Sequence, residues 1–129
     1  NGNKYRVLYD QQTGGLNPNF EMFKMYSDVL GQTGLGSQAD QPEVRTVAAR
    51  SLDGKTVTLY LLRKTGDAEP LEVALTLKNF KPVKAHTKVF NAPSLSADAA
   101  NVSESKLKSL TPLRVELPGH SFTEIILTE

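Results

Sequence analysis

Two imidazoles, a scatter of carboxylates and a few aromatic rings are the side chains in this 129-residue chain that could do chemistry. His86 lies on the polar side of an alternating run and His120 in a turn, far apart in sequence. Histidine zinc sites use spacings such as His-Glu-x-x-His, and none occurs here. A Ser-His pair at Ser121 and His120 fails as a hydrolase motif. Neighbours on a strand point to opposite faces, and no Gly-x-Ser-x-Gly elbow is present. Glycoside hydrolysis needs two carboxyls about 5–9.5 Å apart, one of them kept protonated by its surroundings. Glu43, Glu72, Glu116 and Glu124 read as standing on separate strand faces, with nothing to hold such a proton; the last three read as solubility residues.

Two weaker constellations remain. Asp98, Asn101 and Glu104 place oxygen donors at i, i+3 and i+6 in a long connection, and calcium takes roughly six to eight oxygens, often from such loops. These three are the candidate metal ligands, against the simpler reading of a capped helical turn on the surface. Tyr60 alternates into a strand face and Phe90 ends one, so they are the candidate rings for stacking a sugar. Aromatic residues make up 7% of the chain and Trp is absent, which counts against a sugar-binding platform.

The composition narrows the classes further. A net charge of +1 with both signs interspersed gives no basic stripe for nucleic acid. The densest lysines, Lys78, Lys81, Lys84 and Lys88, are spaced like the wet edge of a strand. Without cysteine there are no disulfides and no thiolate zinc sites. No apolar run approaches the roughly 20 residues that span a bilayer as a helix. No cofactor, nucleic acid or membrane is therefore expected as a partner. The first residue is Asn1 rather than Met, which reads as a piece of a longer protein.

The elements that must position these residues are mostly strands. Lys55–Leu77 is predicted as the central pair, two strands joined by a polar turn. Val57, Leu59 and Leu61 alternate with Thr58, Tyr60 and Leu62, and Leu71, Val73, Leu75 and Leu77 form a single apolar face. Further strands are predicted over Lys4–Tyr9, Glu43–Arg50, Pro82–Phe90, Leu113–Leu117 and Ser121–Leu127. A helical turn is expected near Ala97–Asn101 and a short strand near Leu107. Asp53-Gly54 marks a tight turn. One helix is predicted from Pro18 to Leu30, with Asn17 as N-cap, Pro18 at its first position and Gly31 as a left-handed C-terminal cap. Gly31–Gln41 reads as a loop and a boundary.

The expected fold class is all-β: an antiparallel β-sandwich of about seven or eight strands with one N-terminal α-helix. Residues 1–41 would supply a strand, the helix and a linker, and residues 42–129 the sandwich, as one compact unit. On the helix, Glu21, Lys24 and Asp28 form a narrow polar stripe, while Phe20, Met22, Phe23, Met25, Tyr26, Val29 and Leu30 cover most of the circumference. So wide an apolar arc exceeds what one face needs. The helix is either sunk in a groove of its own domain or packed between two domains.

Two segments carry a family resemblance. Asn17–Gly34, NPNFEMFKMYSDVLGQTG, is similar to the last barrel helix of α-L-arabinofuranosidases and related retaining glycosidases, matched at Pro18, Phe20, Lys24, Met25, Tyr26, Ser27 and Gly31. Leu117–Leu127, LPGHSFTEIIL, resembles their final strand. The resemblance implies the trailing, C-terminal β-sandwich of such an enzyme. In those enzymes the catalytic glutamates stand on barrel strands upstream of this helix, and no position here matches them. It therefore implies no catalytic residue and no activity for this chain alone. It also implies a catalytic barrel of the same polypeptide as partner, with plant-type polysaccharide as a second candidate partner, Phe20, Phe23, Tyr26 and Leu30 as the packing residues, and an extracellular or periplasmic location. A carbohydrate-binding module and a self-associating structural domain are the alternatives.

Overall fold

The computed structural model describes Leu8 and residues 13–92, 100–107 and 109–129. They form helix α1 (Asn19–Ser27) and strands β1 (Thr33–Leu35), β2 (Val44–Arg50), β3 (Thr56–Arg63), β4 (Leu71–Ala74), β5 (Lys84–Asn91), β6 (Asn101–Lys106), β7 (Arg114–Leu117) and β8 (Ser121–Thr128). Six strands make one antiparallel sheet in the order β1-β2-β3-β8-β5-β6, and β4 pairs with β7 in a second. The architecture is the expected all-β sandwich with a single helix.

The large sheet has two covered faces, and its central strands show it in sequence. In β3 and β8 both alternating sets carry large apolar side chains, and both strands are buried along most of their length, as strands covered on both sides should be. Toward the small sheet they present Val57, Leu59, Leu61, Ile125 and Leu127, which pack with Leu113, Val115 and Leu117 in the main core. Fully burying each aliphatic chain contributes roughly 1.5–3 kcal/mol. The opposite face meets α1. Strands β4 and β7 alternate buried with exposed residues, as a covering sheet with one wet face should.

This arrangement corrects the predicted central hairpin. β3 and β4 do not pair with each other; β3 lies between β2 and β8, and β4 lies in the other sheet. The strands flanking Pro118-Gly119 separate in the same way, β7 into the small sheet and β8 into the middle of the large one. Both crossings occur at one end of the sandwich, where they touch. The His120 amide donates to the Thr65 carbonyl at 2.7 Å, and a Cβ on Gly119 would lie 2.6 Å from the Asp67 carbonyl oxygen. Arg63, buried at the end of β3, ties the two together by donating to the carbonyls of Glu69 and Leu117, each at 2.8 Å. It also pairs with Asp67 at 3.3 Å and lies 3.7 Å from Glu43, whose carboxylate accepts from the Thr65 hydroxyl.

Other boundaries shift locally. The helix ends at Ser27, short of Leu30, and Asp28–Leu30 continue as a turn into Gly31, whose φ of 80° is the left-handed conformation expected there. The N-cap falls on Pro18, one residue later than predicted, and the Asn17 carbonyl accepts the Phe20 amide. Part of the stretch read as a loop pairs with β2 as β1. Asn101, expected in a helical turn, opens β6 opposite Asn91, because an edge position on β5 gives its backbone a ladder partner. The strand predicted over Lys4–Tyr9 falls, apart from Leu8, outside the described residues.

Candidate functional site

The α1-covered face of the large sheet is where the chain gathers its unusual chemistry. The pairing places Val47, Tyr60, Glu124, Lys88 and Glu104 in one row across five strands, all on the same face. At the outer end of the row Glu104 lies 3.3 Å from Lys88 Nζ and 3.3 Å from His86 Nε2. The Lys88 ammonium, first, and then His86 hold the Glu104 carboxyl below its ordinary value.

The middle of the row is dry. Tyr60 and Glu124 are each 1% exposed, and Met25 of α1 sits equally buried over them. The Tyr60 ring stacks on Phe122 at 5.2 Å and 13°, and Tyr26 tilts against it at 5.1 Å. Its hydroxyl lies 2.7 Å from the Met25 carbonyl oxygen and 2.9 Å from Glu124 Oε2. Burial pushes the Tyr60 phenol up, and the Glu124 carboxyl beside it adds to the effect. Burial also pushes Glu124 up. Asp28 adds to that shift, whereas the Tyr60 hydrogen bond, Lys88 and His86 oppose it.

Glu124 is thus not a solubility residue, which corrects the sequence reading. It was legible in part: Phe122, Glu124 and Ile126 share a face, so a carboxyl interrupts an apolar row. What hid it was the placement of β8 at the sheet's centre instead of beside β7. Glu72 and Glu116, read as lying on separate faces, are direct cross-strand partners on exposed positions, and Glu72 is ion-paired with Arg114.

The other sequence candidates fall as follows. Tyr60 has no ring face open to a sugar while α1 is in place, and Phe90 is half-buried against the same aromatic cluster. Asp98 lies outside the described residues. Asn101 and Glu104 are three apart on a strand and so point to opposite faces. Among the described residues no three His, Cys, Asp or Glu side chains gather at one point. Of the packing candidates, Phe20 is half-buried and Tyr26, though packed against Tyr60, keeps part of its ring exposed, while Phe23 on α1 is 56% exposed and Leu30, in the turn after it, 78% exposed. Val47 and Leu62, also exposed, lie on the α1 side of the sheet. A helix pinned by Met25 thus presents an apolar back to solvent.

No protein-family model matches the chain. No curated protein matches it in sequence. Solved structures do match in fold. A GH30 endoxylanase from Clostridium papyrosolvens C71 superposes with a TM-score of 0.70 at 13% identity, covering 94% of this chain and 30% of that one. CelM2, a bifunctional glucanase-xylanase from a metagenome library, gives 0.65 at 21% identity, over 86% and 22%. A thermostable GH51 α-L-arabinofuranosidase from Thermotoga petrophila RKU-1 gives 0.58 at 14% identity, over 74% and 23%. The chain therefore shares its fold with part of these glycoside hydrolases and spans less than a third of the length of each.

Proposed function

We propose that this chain is a non-catalytic accessory β-sandwich of an α-L-arabinofuranosidase-like glycoside hydrolase. It would form the C-terminal region, packing on and steadying a catalytic barrel of the same polypeptide. The observation that carries this reading is the outer side of α1. Phe23 on α1, part of the Tyr26 ring and Leu30 in the turn that follows are all exposed, while Met25 holds the helix's inner side. Large apolar side chains exposed close together along one short segment are the kind of surface that an interaction covers. The fold matches, each covering most of this chain and a minor share of a longer hydrolase, support the same arrangement. The parent's substrate would be a polysaccharide of the plant cell-wall type. Burial of Tyr60 favours scaffold over sugar-binding module, because a stacking platform needs an open ring face.

The test uses the longer polypeptide with the residues that precede Asn1, as wild type and with Phe23→Asp and Leu30→Asp together. Calorimetry of the wild type should show the sandwich unfolding in one transition with the upstream domain. The variant should split that transition and lower the upstream domain's Tm. Identical profiles for the two would remove the packing role, and a shift of this chain to a dimer in sedimentation would favour self-association instead.

A further inference from the structure

The hydroxyl of Tyr60 touches two oxygens and has one proton to give. Met25's carbonyl, at 2.7 Å, can only accept. Glu124 Oε2, at 2.9 Å, can accept when ionised or donate when protonated. If Glu124 is ionised and takes the phenol proton, two lone-pair-bearing oxygens are left facing each other at the Met25 end. If Glu124 is a carboxylic acid, both contacts are satisfied: its O–H donates to Tyr60 Oη, and the Tyr60 O–H donates to Met25. The second arrangement leaves no mismatched contact.

The surroundings of the carboxyl point the same way. From the end of α1 it meets Asp28, the residue after the last turn, and the helix C-terminus, which carries partial negative charge. From β3 it faces Tyr60. From β5 it faces Lys88 and His86, but Glu104 of β6 engages both of those at 3.3 Å. Met25's carbonyl, in the last turn of α1, accepts the Asp28 amide at 3.3 Å, and the phenol adds a second, shorter contact to it from the sheet at 2.7 Å.

We propose that Glu124 is a proton-operated latch on α1. As an acid taking its proton from solvent, it completes a carboxyl–phenol–carbonyl chain that fastens the last turn of α1 to the large sheet. Ionised, it breaks that chain and loosens the turn. Because α1 carries Phe23 and Tyr26 and leads into Leu30, the latch would make barrel packing pH-dependent; this last consequence alone rests on the accessory-domain reading.

The test uses this chain by itself, so its failure is separate from failure of the packing role. The Glu124 side-chain carboxyl and the backbone amides from Met25 to Leu30 are followed together by NMR across a pH titration. The carboxyl should titrate above the ordinary glutamate range, with the α1 amides moving at the same midpoint. Glu124→Gln, whose amide can donate to Tyr60, should hold those amides at their acid positions at every pH. Tyr60→Phe should uncouple them from the carboxyl. A carboxyl titrating in or below the ordinary range, or α1 amides indifferent to it, would overturn the latch. If Glu124→Gln does not fold, the wild-type titration alone decides.

Discussion

The buried side of α1 and the exposed turn that follows it should respond very unequally to substitution, and the contrast can be put in numbers. Met25 is 1% exposed and wedged over Tyr60 and Phe122. Met25→Ala removes buried contacts and leaves a cavity beside the Tyr60 hydroxyl, at a cost of about 2–5 kcal/mol. A domain of this size has roughly 5–15 kcal/mol of total stability, so the loss is a large share. Leu30 is 78% exposed, so Leu30→Ser gives up only about a fifth of the roughly 1.5–3 kcal/mol of a fully buried leucine, or about 0.5 kcal/mol. Urea unfolding of this chain, followed by far-ultraviolet circular dichroism, reads both from the midpoint at constant slope. A Leu30→Ser loss above about 1.5 kcal/mol would mean that the outer face is already used within the domain. A Met25→Ala loss under about 1 kcal/mol would mean that α1 is not held as described. Either result would undo the argument that the outer face is free for a neighbour.

Other outcomes follow from the same contacts. Arg63→Met leaves the Glu69 and Leu117 carbonyls without their donor and should cost about 3–5 kcal/mol, whereas Arg114→Met, at an exposed pair, should cost under about 1 kcal/mol; urea midpoints compare them. Gly119→Ala pushes a methyl against the Asp67 backbone and should lower stability by about 1–3 kcal/mol, seen as a lower Tm. The folded state holds the Glu124 proton more tightly than the unfolded chain does. Its contribution to stability is therefore fully present below the ordinary value of 4.5 and is lost as pH rises through the raised folded pKa. Unfolding free energies measured across pH should show this decline in the wild type and not in Glu124→Gln. Asp53, held low first by the Ser51 hydroxyl and then by the Lys55 amide, acts with the opposite sign: its contribution is present above its ordinary value and fades as pH falls through the lowered one.

Much of the fold was legible because its signals are local. The period-two runs of β2, β3, β5 and β8, the Asp53-Gly54 turn and Gly31 after the helix each act within a few residues. The partners of β4 and β8 were not legible. Sequence proximity favours a hairpin, while the crossing to the other sheet is held by contacts that no local pattern announces, such as buried Arg63 bridging the Glu69 and Leu117 carbonyls. The same gap hid Glu124. Its carboxyl is unusual only because β3, β5 and α1 converge on it, and no spacing within Ser121–Thr128 announces those neighbours. The apolar circumference of this segment, by contrast, was plain in sequence, and the structure resolves it into a buried side at Met25, a Tyr26 ring shared between Tyr60 and solvent, and exposed positions at Phe23 and Leu30.

The central claim, that this exposed side packs on an upstream domain, is tested most directly by hydroxyl-radical footprinting of the longer polypeptide against this chain alone. Phe23, Tyr26 and Leu30 should be strongly protected in the longer protein, while Leu52, 84% exposed in the β2–β3 turn, should label equally in both. Equal labelling of all four in both proteins would contradict the account.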